Sequence, residues 1–166
     1  MTVLNTKRLS LAPLSHALIS RRIAGDTFRF DVDDVGTVSF GPIWPGDALA
    51  IFPVQLTLPD PVPNSYVAVE RATLKAVGQL GATGEVNADG EIEIGYGFGV
   101  TGKGFASEAV EALVTDLLAS GSIVAITAST TTDNVASHQV LTKNGFRQTG
   151  TKSDPDDGDL LVWRRG

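Results

Sequence analysis

Glu91-Ile-Glu-Ile-Gly-Tyr-Gly-Phe-Gly-Val-Thr-Gly-Lys-Gly-Phe-Ala-Ser-Glu-Ala109 is the stretch that decides the fold. Its first six residues alternate with the two-residue period of a half-buried strand. Gly95, Gly97, Gly99, Gly102 and Gly104 then fall within ten residues. Val110, Leu113, Val114 and Leu117 follow at helical spacing, and Gly121 ends that helix. The unit is strand, glycine turn, helix. Missing Cβ atoms let a backbone approach a ligand closely, and several amides can face one anion. The helix adds free N–H groups and the positive end of its dipole. A phosphate is the guest this chemistry fits. The competing reading is a glycine-rich hairpin with no ligand.

Downstream, Ile123 to Ala128 reads as a buried strand. Asp133 or Asn134 caps a further helix with Ala136, Val140 and Leu141 inward, and Asn144-Gly145 closes it with left-handed residues. Phe146–Thr151 and Leu160–Arg164 are strands joined by the acidic turn Asp154-Pro-Asp-Asp-Gly158. Upstream, Tyr66 and Ala68 mark one strand and Leu74 to Leu80 another, with a turn near Ala72-Thr73. Leu58 to Asn64 carries three prolines and is a loop. Trp44-Pro-Gly-Asp47 starts a helix with Leu49, Phe52 and Leu56 at helical spacing, which Pro53 kinks or ends. Phe28, Phe30 and Val32 alternate, consistent with a short strand or an irregular loop. Ser15 and Gly25 bracket a helix, and Arg8 to Leu14 is a first strand. The second half thus reads β-β-β-α-β-α-β-β, an α+β order.

The chain has 166 residues, 42% apolar and 19% charged. It is long enough to bury a core and is read as a single domain over 1–166. A net charge of −6 and a sequence pI near 4.8 disfavour nucleic acid and anionic membranes as partners. There is no cysteine, so disulfides, thiolate nucleophiles and cysteine metal sites are excluded. His16 and His138 lack metal-ligand spacing, and no metal is expected. No stretch resembles a signal peptide or a membrane span, so a cytoplasmic protein is expected.

Three phosphate-binding templates compete for the glycine run. Gly97-Phe-Gly-Val-Thr-Gly102 fits the dinucleotide fingerprint, but Lys103 and Gly104 intervene before the helix. No carboxylate ends the next strand to hold a ribose. Gly97-x-x-x-x-Gly102-Lys103 nearly fits the P-loop, but Gly104 replaces the magnesium-binding Ser or Thr. Thr101-Gly-Lys-Gly-Phe-Ala106 fits best. It resembles motif A of the GNAT acetyltransferases, Q/R-x-x-G-x-G/A. The wider run from Gly95-Tyr96 to Glu108-Ala109 is similar to the "GY … GKGYATEA" text of the branch that includes the ribosomal-protein N-terminal acetyltransferases. Asn134-Val-Ala-Ser-His-Gln-Val-Leu-Thr-Lys-Asn-Gly-Phe146 resembles the family's N-x-x-S-x-x-V-L-x-K-x-G-F. Thr6-Lys-Arg-Leu9 resembles its opening T-E-R-L.

This resemblance implies an acyl-CoA N-acyltransferase (GNAT) fold, with a mixed, mostly antiparallel twisted sheet flanked by helices. It implies acetyl-CoA as co-substrate. The pantetheine arm would lie along Tyr96, Phe98, Gly99 and Val100. The pyrophosphate would sit on the amides of Gly102, Lys103, Gly104, Phe105 and Ala106, with Ser107 adjoining and Asn134 tying the site together. The acceptor is a primary amine, from a protein N-terminus or a small molecule, which attacks the thioester directly. Many relatives place a Tyr seven residues after the motif Asn as the thiolate's acid; Leu141 stands there. Ser137 is the substitute acid, or a serine filling a small space. Glu91 and Glu93 are base candidates, or solvated strand carboxylates. Trp44 and Phe52 line the acceptor side, or belong to the core. Apolar residues near Trp44 leave a homodimer open. Two alternatives stand beside the enzyme: a non-catalytic acyl-CoA-binding or sensing module on the same fold, and, third, a nucleotide-binding protein.

Overall fold

The computed structural model describes residues 1–166. The chain divides into two compact units, Met1–Gly81 with Tyr96–Ala112, and Ala82–Gly95 with Leu113–Gly166.

In the first unit, Leu4–Asn5 (β1) pairs antiparallel with Leu9–Pro13 (β2). Helix α1 (His16–Ala24) starts as its sequence dictates: Ser15 Oγ accepts from the Leu18 N–H at 3.2 Å. Gly25 ends it in extended backbone, its N–H donating to the carbonyls of Arg21 and Arg22. Phe28–Val32 (β3) is a strand, paired antiparallel with Gly36–Phe40 (β4). Phe28 opposes Phe40 in that register, and the rings stack at 4.8 Å. Cross-strand aromatic packing of this kind turns an ambiguous run into a hairpin.

A 3₁₀ turn at Gly46–Ile51 leads into a short helix α2 (Phe52–Gln55). Pro53 lies at the start of α2, where a missing N–H costs nothing. It opens this helix rather than ending one that began at Trp44. Ser65–Glu70 (β5) pairs antiparallel with β2 and with Lys75–Ala82 (β6). Leu14, Leu18 and Ile19 from α1 and its entry, Phe40, Trp44, Phe52, Val67 and Val69 form one continuous buried cluster.

The second unit holds the start of Glu91–Phe98 (β7), whose last residues belong to the first unit. After α3 (Phe105–Ala119), Ala125–Thr131 (β8) runs parallel to β7, with Glu91 opposite Ala125 and Ile94 opposite Ala128. Parallel neighbours need such a crossover helix. Asn134 caps α4 (Val135–Lys143), its side-chain oxygen accepting from the Ser137 N–H. Leu141 is fully buried, but Ala136 is exposed rather than inward. Only Gly145 closes α4 in left-handed backbone (φ +78°); Asn144 keeps a negative φ. Arg147–Asp154 (β9) pairs antiparallel with Gly158–Arg165 (β10), which pairs antiparallel with β8. The N–H groups of Asp156 and then Asp157 donate to Asp154 and hold its carboxyl below the usual range. The sheet is mixed, with helices, in an α+β order. No helix is long and apolar enough to cross a membrane.

Candidate functional site

Four of the five glycines fall into two pairs with different purposes. A Cβ on Gly97 would lie 2.9 Å from the Pro45 carbonyl oxygen and 3.2 Å from the Ala48 nitrogen. One on Gly99 would lie 2.9 Å from the Ile43 carbonyl oxygen. These two are glycine because segment 43–48 packs against their backbone. Gly99 also spends its N–H on the Val77 carbonyl.

Gly102 and Gly104 differ. Both are exposed and left-handed, at φ +77° and +78°. Nothing stands within 4 Å of a Cβ on Gly102. Left-handed backbone costs an L-residue roughly 1–2 kcal/mol, so the turn itself demands glycine. Phe105 opens α3 directly afterwards, and the Glu108 N–H donates to the Gly104 carbonyl at 3.1 Å. The amides of Phe105 and Ala106, in the first turn, therefore have no helical acceptor. Lys103 is exposed between the two glycines. Open amides, a helix dipole and a lysine fit a phosphate group. Phe105 is buried, while Ala106 and Ser107 are half-buried in the first turn of α3.

A contact that the sequence did not reveal holds this turn. Glu108, in the first turn of α3, reaches back to the chain's beginning. Its carboxylate accepts from Thr6 Oγ1 at 2.6 Å, the Arg8 N–H at 3.0 Å and Arg8 Nε at 3.1 Å. The Arg8 guanidinium lies over the Phe105 ring, 4.5 Å from its centroid. The Thr6-Lys-Arg-Leu9 block thus has a physical task. Burial raises the Glu108 carboxyl, but the bonds from Thr6 and Arg8 outweigh it and hold the group below its ordinary 4.5. A depressed folded-state value means stability that is present above the unfolded value and lost as pH falls through the folded one. Glu108→Gln is expected to destabilise by about 1–2 kcal/mol at pH 7. Urea titrations should show the gap closing as pH drops below 4.5.

Tyr96 and Phe98 at the end of β7, and Val100 just beyond it, are half-buried. The Phe98 ring occupies the space above Gly78, where a Cβ would collide with it. Trp44 and Phe52 are core residues, 1% and 0% exposed, and do not line an acceptor surface. Ile43, Leu49, Ile51 and Val54 beside them are the exposed apolar residues.

The second unit carries the acid–base candidates. Glu93 accepts from Thr83 Oγ1 at 3.0 Å and Ser129 Oγ at 3.2 Å, with Lys152 Nζ at 3.5 Å. Glu91 is paired with Arg164 Nε at 2.7 Å. Neither is a merely solvated carboxylate. Ser137 is half-buried in the first turn of α4, its N–H on Asn134. Leu141, at the position of the missing Tyr, is core. His138 is less superficial than a surface residue: its Nε2 lies 3.0 Å from the Thr131 carbonyl, and its ring centroid is 5.5 Å from that of Trp163. No three His, Asp or Glu residues are grouped to hold a metal ion.

A parallel strand pair joined by a helix that opens on a left-handed glycine turn makes this an α+β protein. The family model for the acetyltransferase (GNAT) domain matches residues 46–147, and the chain belongs to that family. Solved structures share the fold. An acetyltransferase of the GNAT family from Bacillus anthracis is 18% identical, with a TM-score of 0.68, over 98% of this chain and 97% of that one. RimL, a ribosomal L7/L12 alpha-N-protein acetyltransferase solved with coenzyme A, is 17% identical, with a TM-score of 0.66 over the same shares. A Bordetella pertussis protein described as a GNAT-family acetyltransferase is 20% identical, with a TM-score of 0.71 over the whole of both chains. A search of curated proteins found no match.

Proposed function

We propose that residues 1–166 act as one N-acetyltransferase domain that moves the acetyl group of acetyl-CoA to a primary amine, on a protein N-terminus or a small molecule. The observation that carries this reading is the open, left-handed turn Gly102–Gly104 at the start of α3. In this reading the amides of Gly102 to Ala106 receive the pyrophosphate, and backbone from Tyr96 to Val100 pairs with the pantetheine arm. The new bond is amine nitrogen to acetyl carbon; the bond that breaks is acetyl carbon to sulfur. Glu93 accepts, directly or through water, the proton the amine loses, and Ser137 relays a proton to the departing sulfur, its hydroxyl regaining one from solvent water in the same step. Of the two strand carboxylates Glu93 is preferred. It lies nearer Tyr96 along β7, and two hydroxyls and an ammonium hold it.

A thiol-release assay across an amine library tests both the activity and these roles. Glu93→Gln is expected to lower kcat/KM about a hundredfold. Glu91→Gln, which only opens the pair with Arg164, should change it less than threefold. Ser137→Ala with unchanged turnover would remove Ser137 from the chemistry. A protein that binds acetyl-CoA and releases no thiol with any amine would be a sensing module instead.

A further inference from the structure

The Thr6–Arg8–Glu108 contact leaves part of Arg8 unused. Glu108 takes only the Nε edge of the guanidinium, and the Phe105 ring supports its face. The two terminal nitrogens have no protein hydrogen bond. Nη2 lies 3.5 Å from where a Cβ on Gly104 would stand, beside the open end of the turn. The Arg8 side chain is 41% exposed. A guanidinium offers five N–H donors in a fixed fork. Here four of them, oriented by Glu108, remain for an oxyanion next to left-handed backbone that already favours one.

We infer that Arg8 is a phosphate-contacting residue of the acetyl-CoA site, held ready by Glu108 and Phe105. The inference rests on the acetyltransferase reading. Its ligand chemistry is a phosphate oxyanion, from either the pyrophosphate or the ribose 3′-phosphate of CoA. Glu108 is then a positioning residue: it fixes the fork and neutralises one charge without touching the ligand. Lys103 is a mobile point charge and cannot replace a pre-oriented fork.

The test is Arg8→Gln, which retains an amide for Glu108 and loses the charge and the fork. Dissociation constants for CoA, 3′-dephospho-CoA and pantetheine would be measured by calorimetry on the full chain, beside the melting temperature of the free protein. A weakening of about tenfold for CoA with pantetheine unchanged supports the inference. Equal weakening of 3′-dephospho-CoA places Arg8 on the pyrophosphate; unchanged 3′-dephospho-CoA places it on the 3′-phosphate. Equal weakening of all three ligands means that Arg8 only shapes the fold, and overturns the inference. So does wild-type affinity for CoA in the variant. A wild-type protein that binds no CoA species overturns the acetyltransferase reading itself, a result distinct from both.

Discussion

Trp44→Ala should lower the free energy of unfolding by about 3–5 kcal/mol, the largest loss expected of any single side chain in the first unit. Trp44 is 1% exposed and stands between Phe40 and Phe52, at 4.7 Å and 5.7 Å between ring centroids. Its indole N–H donates to the Gly78 carbonyl at 3.0 Å. Truncation opens a cavity among aromatic rings and leaves that buried carbonyl without its donor. Trp44→Phe keeps most of the packing and should cost about 1–2 kcal/mol, mostly the lost hydrogen bond. Chemical denaturation with an unchanged m-value would measure both. A loss below about 1 kcal/mol for Trp44→Ala would show that the cluster collapses around the gap, and that Trp44 does not organise it.

The second large effect belongs to the turn. Gly102→Ala together with Gly104→Ala is expected to weaken acetyl-CoA binding about a hundredfold. The nearest atom to a new Cβ on Gly104 is 3.5 Å away, so space is not the difficulty. Backbone is: each alanine in left-handed conformation costs about 1–2 kcal/mol, and relaxing either one turns its amide away from the shared anion. A tenfold loss corresponds to about 1.4 kcal/mol, so two such costs give the expected factor. Gly97→Ala should behave oppositely. Its Cβ would meet the Pro45 and Asp47–Ala48 backbone, so it should lower the melting temperature of the free protein first. Calorimetry on the double variant checks the claim. Affinity within threefold of wild type would mean that Gly102 and Gly104 do not build the phosphate site.

Much of this was legible in the sequence because it is local. The alternation from Glu91 to Tyr96, the Ser15 and Asn134 caps and the apolar spacing of α3 each act within a few residues, and each element stands where they put it. What was hidden depends on distant partners. Phe28–Val32 becomes a strand only because Phe40 stacks on Phe28. The glycine run reads as one device, yet Gly97 and Gly99 answer to segment 43–48, some fifty residues earlier. Glu108 looks like any acidic residue in a first helical turn. Its tie to Arg8 spans 100 positions, and the only available sign was the recurrence of Thr6-x-Arg8 in a family-like opening. Glu93 likewise reads as a solvated strand carboxylate until Thr83, Ser129 and Lys152 close around it.

A thermal-shift series with acetyl-CoA, free CoA, NAD, NADP and ATP–magnesium tests the central claim most directly. A ligand at about 100 times its dissociation constant stabilises a fold by roughly 2.7 kcal/mol, a readily visible shift. The expected result is stabilisation by acetyl-CoA and CoA and by none of the others. Stabilisation by ATP or a nicotinamide dinucleotide, with none from either CoA species, would contradict it and give the Gly102–Gly104 turn to another phosphate ligand.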